Sequence, residues 1–213
     1  SVASRSTASG PPRSDHAKQA AERTSGSALV NALVKATVAV SVGNTANVRT
    51  KASSNTGLSL DSISSLTPDN HGGNMDLPDM GPGTITYLPV RVPGARLFIG
   101  DAHACQGDGE VCGVAVEHAS LTTIRVDLIK NWTIEWPRLE SDELIMAIGS
   151  ARPLEDATRI AYRELIRWMV ASHGFDQWDA YMMLSQCGRV RLGNFVDPKY
   201  TVGAAVAKKY LVQ

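Results

Sequence analysis

The amino-acid sequence predicts an α+β fold in which strands are followed by two helices and then by further strands. Residues 121–129 alternate apolar and polar side chains with period two, which is typical of a half-exposed antiparallel strand. Residues 153–174 and 175–184 instead have helical spacing, and strand patterns return over residues 189–195 and 201–206. Strands and helices that occur in separate runs favour the α+β class over alternating βαβ units.

The first 70 residues differ in composition from the rest of the chain. Residues 1–27 are rich in Ser, Ala, Arg and Thr, and residues 43–70 are rich in Asn, Ser, Thr and Gly. Segments of this composition bury little apolar surface. We therefore expect residues 1–70 to form a mobile segment and linker, ahead of a domain over residues 71–213.

An apolar run interrupts this composition between residues 28 and 42. The spacing of Ala and Leu over residues 28–36 predicts a helix, and the alternation of Val over residues 38–42 predicts a strand. The run is shorter than the roughly 20 residues that a membrane span needs. No membrane anchor is expected from it.

Strands are also expected over residues 84–92 and 96–100. Farther along the chain, Trp132, Ile134 and Trp136 fall on one face of a short strand. Aromatic residues at this spacing more often pack in a core or an interface than line a pocket. We expect packing.

The first helix has clear start and stop signals. Pro153 suits its first turn because proline fixes φ, and Glu155 and Asp156 complement the positive end of the helix dipole. Gly174 is expected to end it. Asp176 is expected to cap the second helix.

Charge and cysteine content restrict the classes of partner. The chain has 21 basic and 21 acidic residues, a balance that gives no electrostatic footprint for nucleic acid or an anionic membrane and fits a small neutral substrate. Three cysteines are too few and too irregularly spaced for a disulfide framework. Reduced thiols in a cytoplasmic protein are expected.

The densest group of polar side chains lies between residues 100 and 117. Asp101 and His103 are two residues apart, so in an extended strand both would point to one face and could share a cation. The Gly-Asp-Gly run at residues 107–109 predicts a tight turn, a pattern that is also typical of an ordinary hairpin loop. Glu110 is expected at the mouth of the next strand.

Three ordered blocks carry the most distinctive residues of the segment 71–212. They are His-Gly-Gly-Asn-Met-Asp at 71–76 with Leu-Pro-Val at 88–90 and Pro-Gly-Ala at 93–95; the run from Gly100 to Gly113 with Glu117; and residues 180–185 with Val-Asp-Pro at 196–198. In order and spacing these blocks resemble the acetamidase/formamidase family.

The resemblance implies hydrolysis of a short aliphatic amide, such as formamide or acetamide, to the carboxylate and ammonia. It also implies that the strands belong to a β-sandwich and that the protein is a homo-oligomer. Family members have a long β-rich portion before the first block, and residues 1–70 do not resemble it. The alternative reading is therefore a truncated, catalytically inactive fragment or a small-molecule binding module.

Amide hydrolysis requires an activated water, a polarised carbonyl and a proton for the leaving amine. In the family blocks, Asp76, Asp101 and His103 offer oxygen and nitrogen ligands for a divalent metal, with zinc favoured. Glu110 and Asp108 are the expected acid–base residues.

Asn74 and Gln106 are expected to hold the nitrogen and oxygen of the substrate amide. A competing mechanism uses Cys105 or Cys112 as the nucleophile with His103 as its base. The metal mechanism is favoured because an excess of nearby carboxylates would raise the pKa of a thiol and weaken it as a nucleophile.

Overall fold

The computed structural model describes residues 32–41, 64–91 and 97–211. The strands in these residues are β1 (Ala32–Ser41), β2 (Ile85–Val90), β3 (His103–Cys105), β4 (Val116–Glu117), β5 (Leu121–Lys130), β6 (Arg138–Glu140), β7 (Leu144–Ala151), β8 (Arg189–Leu192) and β9 (Tyr200–Ala207). The helices are α1 (Leu154–His173), α2 (Gln177–Cys187) and a short 3-10 turn at Lys208–Tyr210.

Seven strands form one antiparallel sheet in the order β5-β1-β2-β6-β7-β9-β8, and β3 pairs with β4 in a separate ladder. Strands precede the two helices and further strands follow them, which confirms the α+β class. Within the described residues, a helix covers one face of the large sheet and a loop covers the other. The β-sandwich implied by the resemblance would place a second sheet there.

The middle of the sheet is buried on both faces. Along β7, Ile145 and Ala147 pack in a core cluster with α1, whereas Met146 and Ile148 pack in a second cluster on the opposite face. Successive side chains of a strand point to opposite faces, so an apolar residue is required at every position of such a strand.

The segment before β2 covers the second face. Met75 and Leu77 are 6% and 7% exposed and pack with Leu139 and Met146. Asp76 lies between these two anchors. The apolar packing of its neighbours thus fixes a carboxylate close to the sheet.

The two helices begin where the sequence predicts. Pro153 precedes α1, Glu155 and Asp156 lie in its first turn, and Gly174 ends it with a φ of 71° while donating its N–H to Met169 O. The side chain of Asp176 accepts a hydrogen bond from the N–H of Trp178, which confirms the cap. None of the helices in the described residues is both long and apolar enough to cross a lipid bilayer.

The helix expected over residues 28–36 is wrong for the part that the structure describes. Residues 32–36 belong to β1, which pairs with β2 on one side and β5 on the other. Cross-strand pairing outweighs the weak helical preference of a short segment rich in valine. Residues 28–31 lie outside the described residues. The boundary predicted at residue 70 stays a prediction, although β1 lies on the N-terminal side of it and joins the sheet.

Two expected short strands are also absent from the described residues. Residues 97–100 form no strand. The segment with Trp132, Ile134 and Trp136 forms no strand; Ile134 is buried in the core, and Trp132 packs edge-on against Tyr87 with ring centroids 5.4 Å apart. The expectation that the tryptophan segment packs rather than lines a pocket agrees with these contacts.

Candidate active site

The Gly-Asp-Gly turn is docked onto the end of β8 and is more than a hairpin loop. Gly109 donates its N–H to Leu192 O at 3.2 Å and accepts from Phe195 N at 3.1 Å. Its φ is 84°, and an added Cβ would lie 1.8 Å from the Phe195 ring. Glycine is therefore required here, and the contact brings the loop after β8 against the polar stretch.

His103 is held in one orientation by Gln106. The Gln106 Nε2 group donates to the backbone oxygens of Asp76, at 2.6 Å, and of Gly193, at 3.1 Å. An amide nitrogen that donates twice leaves the Oε1 atom as the acceptor, and Oε1 lies 2.8 Å from His103 Nδ1. Nδ1 therefore carries a hydrogen, and the neutral ring presents the Nε2 lone pair on its other side.

The Nε2 atom of His103 faces three carboxylates. Its distance is 3.3 Å to Asp101 Oδ1, 3.3 Å to Glu117 Oε1 and 4.0 Å to Glu110 Oε1. The atom is buried and makes no hydrogen bond with a described residue. A lone pair and carboxylate oxygens repel each other at these distances, so the arrangement requires a proton or a cation between them.

Ligand atoms of Asp101, His103 and Glu117 lie within 4.8 Å of one another. A tetrahedral zinc site with bonds of about 2.0–2.1 Å has ligand atoms roughly 3.3 Å apart, so the two nitrogen–oxygen distances fit such a site. Catalytic zinc sites commonly have three protein ligands and an open position. Zinc thus fits these residues for two reasons: their ligand atoms are imidazole nitrogen and carboxylate oxygen, and the buried Nε2 atom of His103 has no hydrogen-bond partner among the described residues.

Glu110 lies inside this cluster. Its side chain is 7% exposed, whereas the side chains of Asp101 and Glu117 are 59% and 54% exposed at the mouth. Burial raises the pKa of Glu110 above its usual range, His103 opposes that change, and the carboxylates of Asp101 and Glu117 add to it. A carboxyl group with a raised pKa can both accept and donate a proton near neutral pH.

A second pair of carboxyl groups lies behind Glu110. Burial and the charge of Glu110 raise the pKa of Asp76 to about 7, against the opposing hydrogen bond from Asn194. Asn194 Nδ2 donates to Asp76 Oδ2 at 2.8 Å, and Asn74 Nδ2 donates to Asp197 Oδ2 at 2.8 Å. Burial is the main cause that raises the pKa of Asp197, and its interactions with Asp76 and Asn74 oppose that rise.

The backbone of the site is strained. Asn74, Asp76, Asp101 and Glu110 have φ values of 49°, 48°, 61° and 47°. This conformation costs a residue with a side chain roughly 1–2 kcal/mol. Strain of this kind persists where surrounding contacts fix the backbone, and it is concentrated at functional sites.

Asp101 and His103 lie close together, as expected, but for a different reason than a shared strand face. Asp101 and His103 do come together, but His103 begins β3 and Asp101 precedes it with a left-handed backbone, so the two do not share one extended strand. Glu110 likewise lies in a turn rather than at the mouth of a strand. Tertiary contacts, rather than strand periodicity, bring these side chains to His103.

The remaining predicted residues lie around this centre. Asp108 pairs with Arg191, with Nη1 2.8 Å from Oδ1, and the same guanidinium binds Asp79. This contact points to a structural role in holding the turn, and the catalytic role of Asp108 stays a prediction. Both amide hydrogens of Asn74 are donated, to Asp197 and to Leu66 O at 2.9 Å.

Three residues of the site were not assigned to it by sequence reasoning. Glu117 was noted only as part of a family block, yet its register opposite His103 in the β3–β4 ladder places both side chains on one face. Asp197 belongs to one of the family blocks, and this was the available signal. Asn194 carried no sequence signal, because a lone Asn after a strand is an ordinary turn residue.

A model of the acetamidase/formamidase family matches residues 15–206. The chain belongs to the acetamidase/formamidase family. The match begins well before residue 71, where the recognisable blocks start. The absence of family resemblance expected for residues 1–70 is therefore wrong from residue 15 onward, because single-sequence inspection detects motifs and misses dispersed similarity.

Relatives with solved structures support the same family. A crystal structure of an acetamidase from Yersinia enterocolitica is 78% identical, with a TM-score of 0.70, over 72% of this chain and 46% of that chain. An acetamidase from Bacillus halodurans is 36% identical, with a TM-score of 0.66, over 70% of this chain and 50% of that one. A putative formamidase from Schizosaccharomyces pombe is 50% identical over 66 residues, 30% of this chain and 16% of the relative.

The chain spans about half the length of the family structures that it matches.

Proposed function

We propose that this chain carries the catalytic site of an amidohydrolase that cleaves short aliphatic amides to a carboxylate and ammonia. The observation that supports this most strongly is the buried Nε2 atom of His103 between Asp101 and Glu117, with Glu110 4.0 Å away. The named acetamidases and formamidases among its relatives support the substrate class. Formamide and acetamide are the substrates that we would test first.

Asp101, His103 and Glu117 would hold a divalent cation, and zinc is the metal whose ligand preferences fit best. When bound, such a cation lowers the pKa of a coordinated water and polarises a carbonyl group. Asp76 was expected as a ligand. Its hydrogen bond from Asn194 and its position behind Glu110 support a role in tuning the charge of the site instead.

Glu110 would take the proton of the attacking water and later donate it to the departing amine. Its burial supports this role because a raised pKa brings a carboxyl group closer to neutral pH. The surplus of carboxylates favours a neutral substrate over an anionic one. The same charges would repel the product carboxylate and so favour its release.

The amide itself needs a hydrogen-bond acceptor for its N–H groups. Asn74 donates both of its amide hydrogens to the protein, which turns its carbonyl oxygen into the group offered to a substrate. Gln106 has its nitrogen and oxygen engaged with the protein. Of the two expected substrate-binding residues, we therefore keep Asn74 in this role.

The thiol mechanism has less support. Cys105 and Cys112 are both exposed, and Cys112 donates to Val114 O. Both ring nitrogens of His103 face other groups, namely Gln106 on one side and the carboxylates on the other. Neither cysteine is therefore paired with the base that the mechanism requires.

A homo-oligomer in the cytoplasm is proposed as the working form. Three free cysteines are compatible with a reducing compartment. The edge strand β5 exposes Leu121, Val126 and Leu128 at 58%, 48% and 38%, and apolar positions along a sheet edge favour association.

The test is ammonia release from formamide, acetamide and propionamide, measured before and after chelation and again after Zn²⁺ is restored. We expect activity to be lost to the chelator and recovered with zinc. Glu110→Gln should lower kcat by about 10²–10⁴-fold, because the variant cannot move a proton. Cys105→Ala is the control and should leave the rate unchanged.

Full activity after chelation, together with loss of activity in Cys105→Ala, would establish the thiol mechanism instead. A folded protein that turns over none of the three amides with any divalent metal would favour the second candidate, an inactive fragment or binding module. The specific observation behind that candidate is that the chain spans about half the length of its family structures.

A further inference from the structure

Gln106 connects three separate segments of the chain at the site. Its side-chain nitrogen binds backbone oxygens of the segment before β2, at Asp76, and of the segment after β8, at Gly193. Its side-chain oxygen binds the ring of His103. All three contacts are 3.1 Å or shorter, so the amide group has little rotational freedom.

The two donations decide the orientation of the amide group. A rotated amide would place its oxygen against the backbone oxygens of Asp76 and Gly193 and would set two pairs of acceptors against each other. The amide oxygen must therefore face His103. His103 Nδ1 then has to be the donor, which leaves Nε2 as the atom directed at Asp101 and Glu117.

We propose that Gln106 is a positioning residue that fixes the tautomer and ring direction of His103, and that it does not bind the substrate. This inference rests on the proposed cation site at His103. It assigns to Gln106 the task that outer hydrogen-bond partners perform for metal-binding histidines, which is to hold one nitrogen as N–H so that the other is available as a ligand.

The two backbone oxygens that Gln106 binds belong to tightly packed segments. Asp76 has a φ of 48°, and Gly193 is a place where an added Cβ would lie 2.3 Å from Met75 O. The backbone oxygens that Gln106 binds are thus held by tight local packing. A ring positioned through such anchors is fixed relative to both loops and not only to β3.

The test uses side-chain nitrogen NMR of the histidines in the chelated, full-length protein at alkaline pH, where the imidazole rings are neutral. The chain has five histidines, and the signal that disappears in His103→Gln identifies His103. Wild type should show His103 with the hydrogen on Nδ1. Gln106→Met has a similar shape without hydrogen-bonding groups and should give a mixture of tautomers.

Zn²⁺ binding to the same proteins provides the second measurement. Gln106→Met should weaken Zn²⁺ affinity by about 10–100-fold, the usual effect of removing the partner of a metal-binding histidine. Gln106→Glu retains an acceptor for Nδ1–H and should keep the tautomer, but its second oxygen would face the backbone oxygens of Asp76 and Gly193, so we expect lower stability and only partial recovery of the affinity. Gln186→Met, an exposed position on α2, is the matched control and should match wild type.

The inference is overturned if wild type carries the hydrogen on Nε2, or if Gln106→Met keeps both the tautomer and the Zn²⁺ affinity while KM for acetamide rises. The second result would make Gln106 a substrate-binding residue. If Gln106→Met does not fold, Gln106→Ala decides, because it removes the acceptor without adding an oxygen, and an unchanged Nδ1–H tautomer together with unchanged Zn²⁺ affinity there would overturn the inference. Neither measurement needs turnover, so an inactive wild type with the expected tautomer would count against the proposed activity alone.

Discussion

Two groups of charged residues in this protein differ in how their charges are balanced. Arg138 and Glu164, 4% and 2% exposed, form a buried ion pair between the sheet and α1, and Arg167 Nη1 lies 3.7 Å from the other carboxylate oxygen of Glu164. Around His103, by contrast, one imidazole faces the carboxyl groups of Asp101, Glu110 and Glu117, and the charges of Asp76 and Asp197 add to this group. The Arg138–Glu164 pair shows that the fold balances a buried charge where stability requires it. We therefore infer that the excess of carboxyl groups around His103 serves function rather than stability.

The charge of Arg138 is balanced within the protein, although its Nη1 atom is buried and makes no hydrogen bond with a described residue. Its Nε and Nη2 atoms donate to Glu164 Oε1 at 2.9 and 2.7 Å, and the guanidinium lies 5.0 Å from the Trp168 ring. Burial lowers the pKa of Arg138 and raises that of Glu164, and each partner opposes the shift of the other. The His103 group has no such partner and needs a proton or a cation to balance its carboxylates.

Breaking the balanced pair should have the largest effect on stability. Glu164→Ala leaves a buried, unpaired guanidinium and should lower the free energy of unfolding by about 3–5 kcal/mol. Urea denaturation measures this. The double variant Arg138→Met with Glu164→Leu removes both charges and should recover most of the loss.

Arg159 on the same helix is the control for that measurement. Its ion pair with Asp156 is 2.6 Å long and exposed. Arg159→Gln should cost about 0.3–0.5 kcal/mol, because water replaces the lost partner. A loss of similar size in Glu164→Ala would mean that the buried pair is not what holds the sheet and α1 together.

Supplying the missing charge should have the next largest effect. Zn²⁺ at about 100 times its dissociation constant should raise the free energy of unfolding by about 2.7 kcal/mol, since it binds the folded state. Glu117→Gln removes one of the three proposed ligands and should abolish most of this gain at the same Zn²⁺ concentration. Thermal unfolding with and without Zn²⁺ measures the difference.

The exposed Glu143→Gln provides an acid-to-amide control outside the cluster. It should be stabilised by Zn²⁺ as much as wild type is. If Glu117→Gln keeps the full gain, the cation binds elsewhere, and the surplus carboxylates around His103 must be neutralised by protons alone.

The same contrast explains what the sequence could predict. Strand β5 and helix α1 could be predicted from the sequence, because β5 alternates in polarity and α1 has Pro153 and Gly174 at its ends. The central strand β7 was missed altogether. It is buried on both faces, so Leu-Ile-Met-Ala-Ile has no alternation that would distinguish a strand.

At the site, residue types were predictable and partners were not. Asp101, His103 and Glu110 were recognised as one group within a short stretch, and the structure brings them together. The family blocks include Glu117 and Asp197, but the contact of Glu117 with His103 follows from the β3–β4 register, and the place of Asp197 follows from the approach of the loop after β8. Contacts between distant segments depend on tertiary packing, which no local pattern reports.

The contributions of Asp76 and Asp69 to the free energy of unfolding should change with pH in opposite directions. Asp76 has its pKa raised to about 7, so between about pH 4 and pH 7 the folded state keeps a proton that the unfolded chain has lost. Its contribution to stability must therefore fall as pH rises through that window. Asp76→Asn cannot ionise, and its amide can replace the hydrogen bonds of the protonated carboxyl group. Relative to wild type, the chelated variant should gain on the order of 1 kcal/mol between pH 5 and pH 7.

Asp69 is the opposite case and serves as the control. Burial alone would raise its pKa, but the hydrogen bond and charge of Lys199 outweigh burial and lower it. Its contribution is present above the unfolded pKa near 4 and is lost as pH falls below it. Asp69→Asn should thus lose stability at neutral pH and show no change in slope between pH 5 and pH 7. If Asp76→Asn runs parallel to wild type across that window, the carboxyl groups behind Glu110 are ionised at pH 5, and the site tolerates its surplus of negative charge without protons.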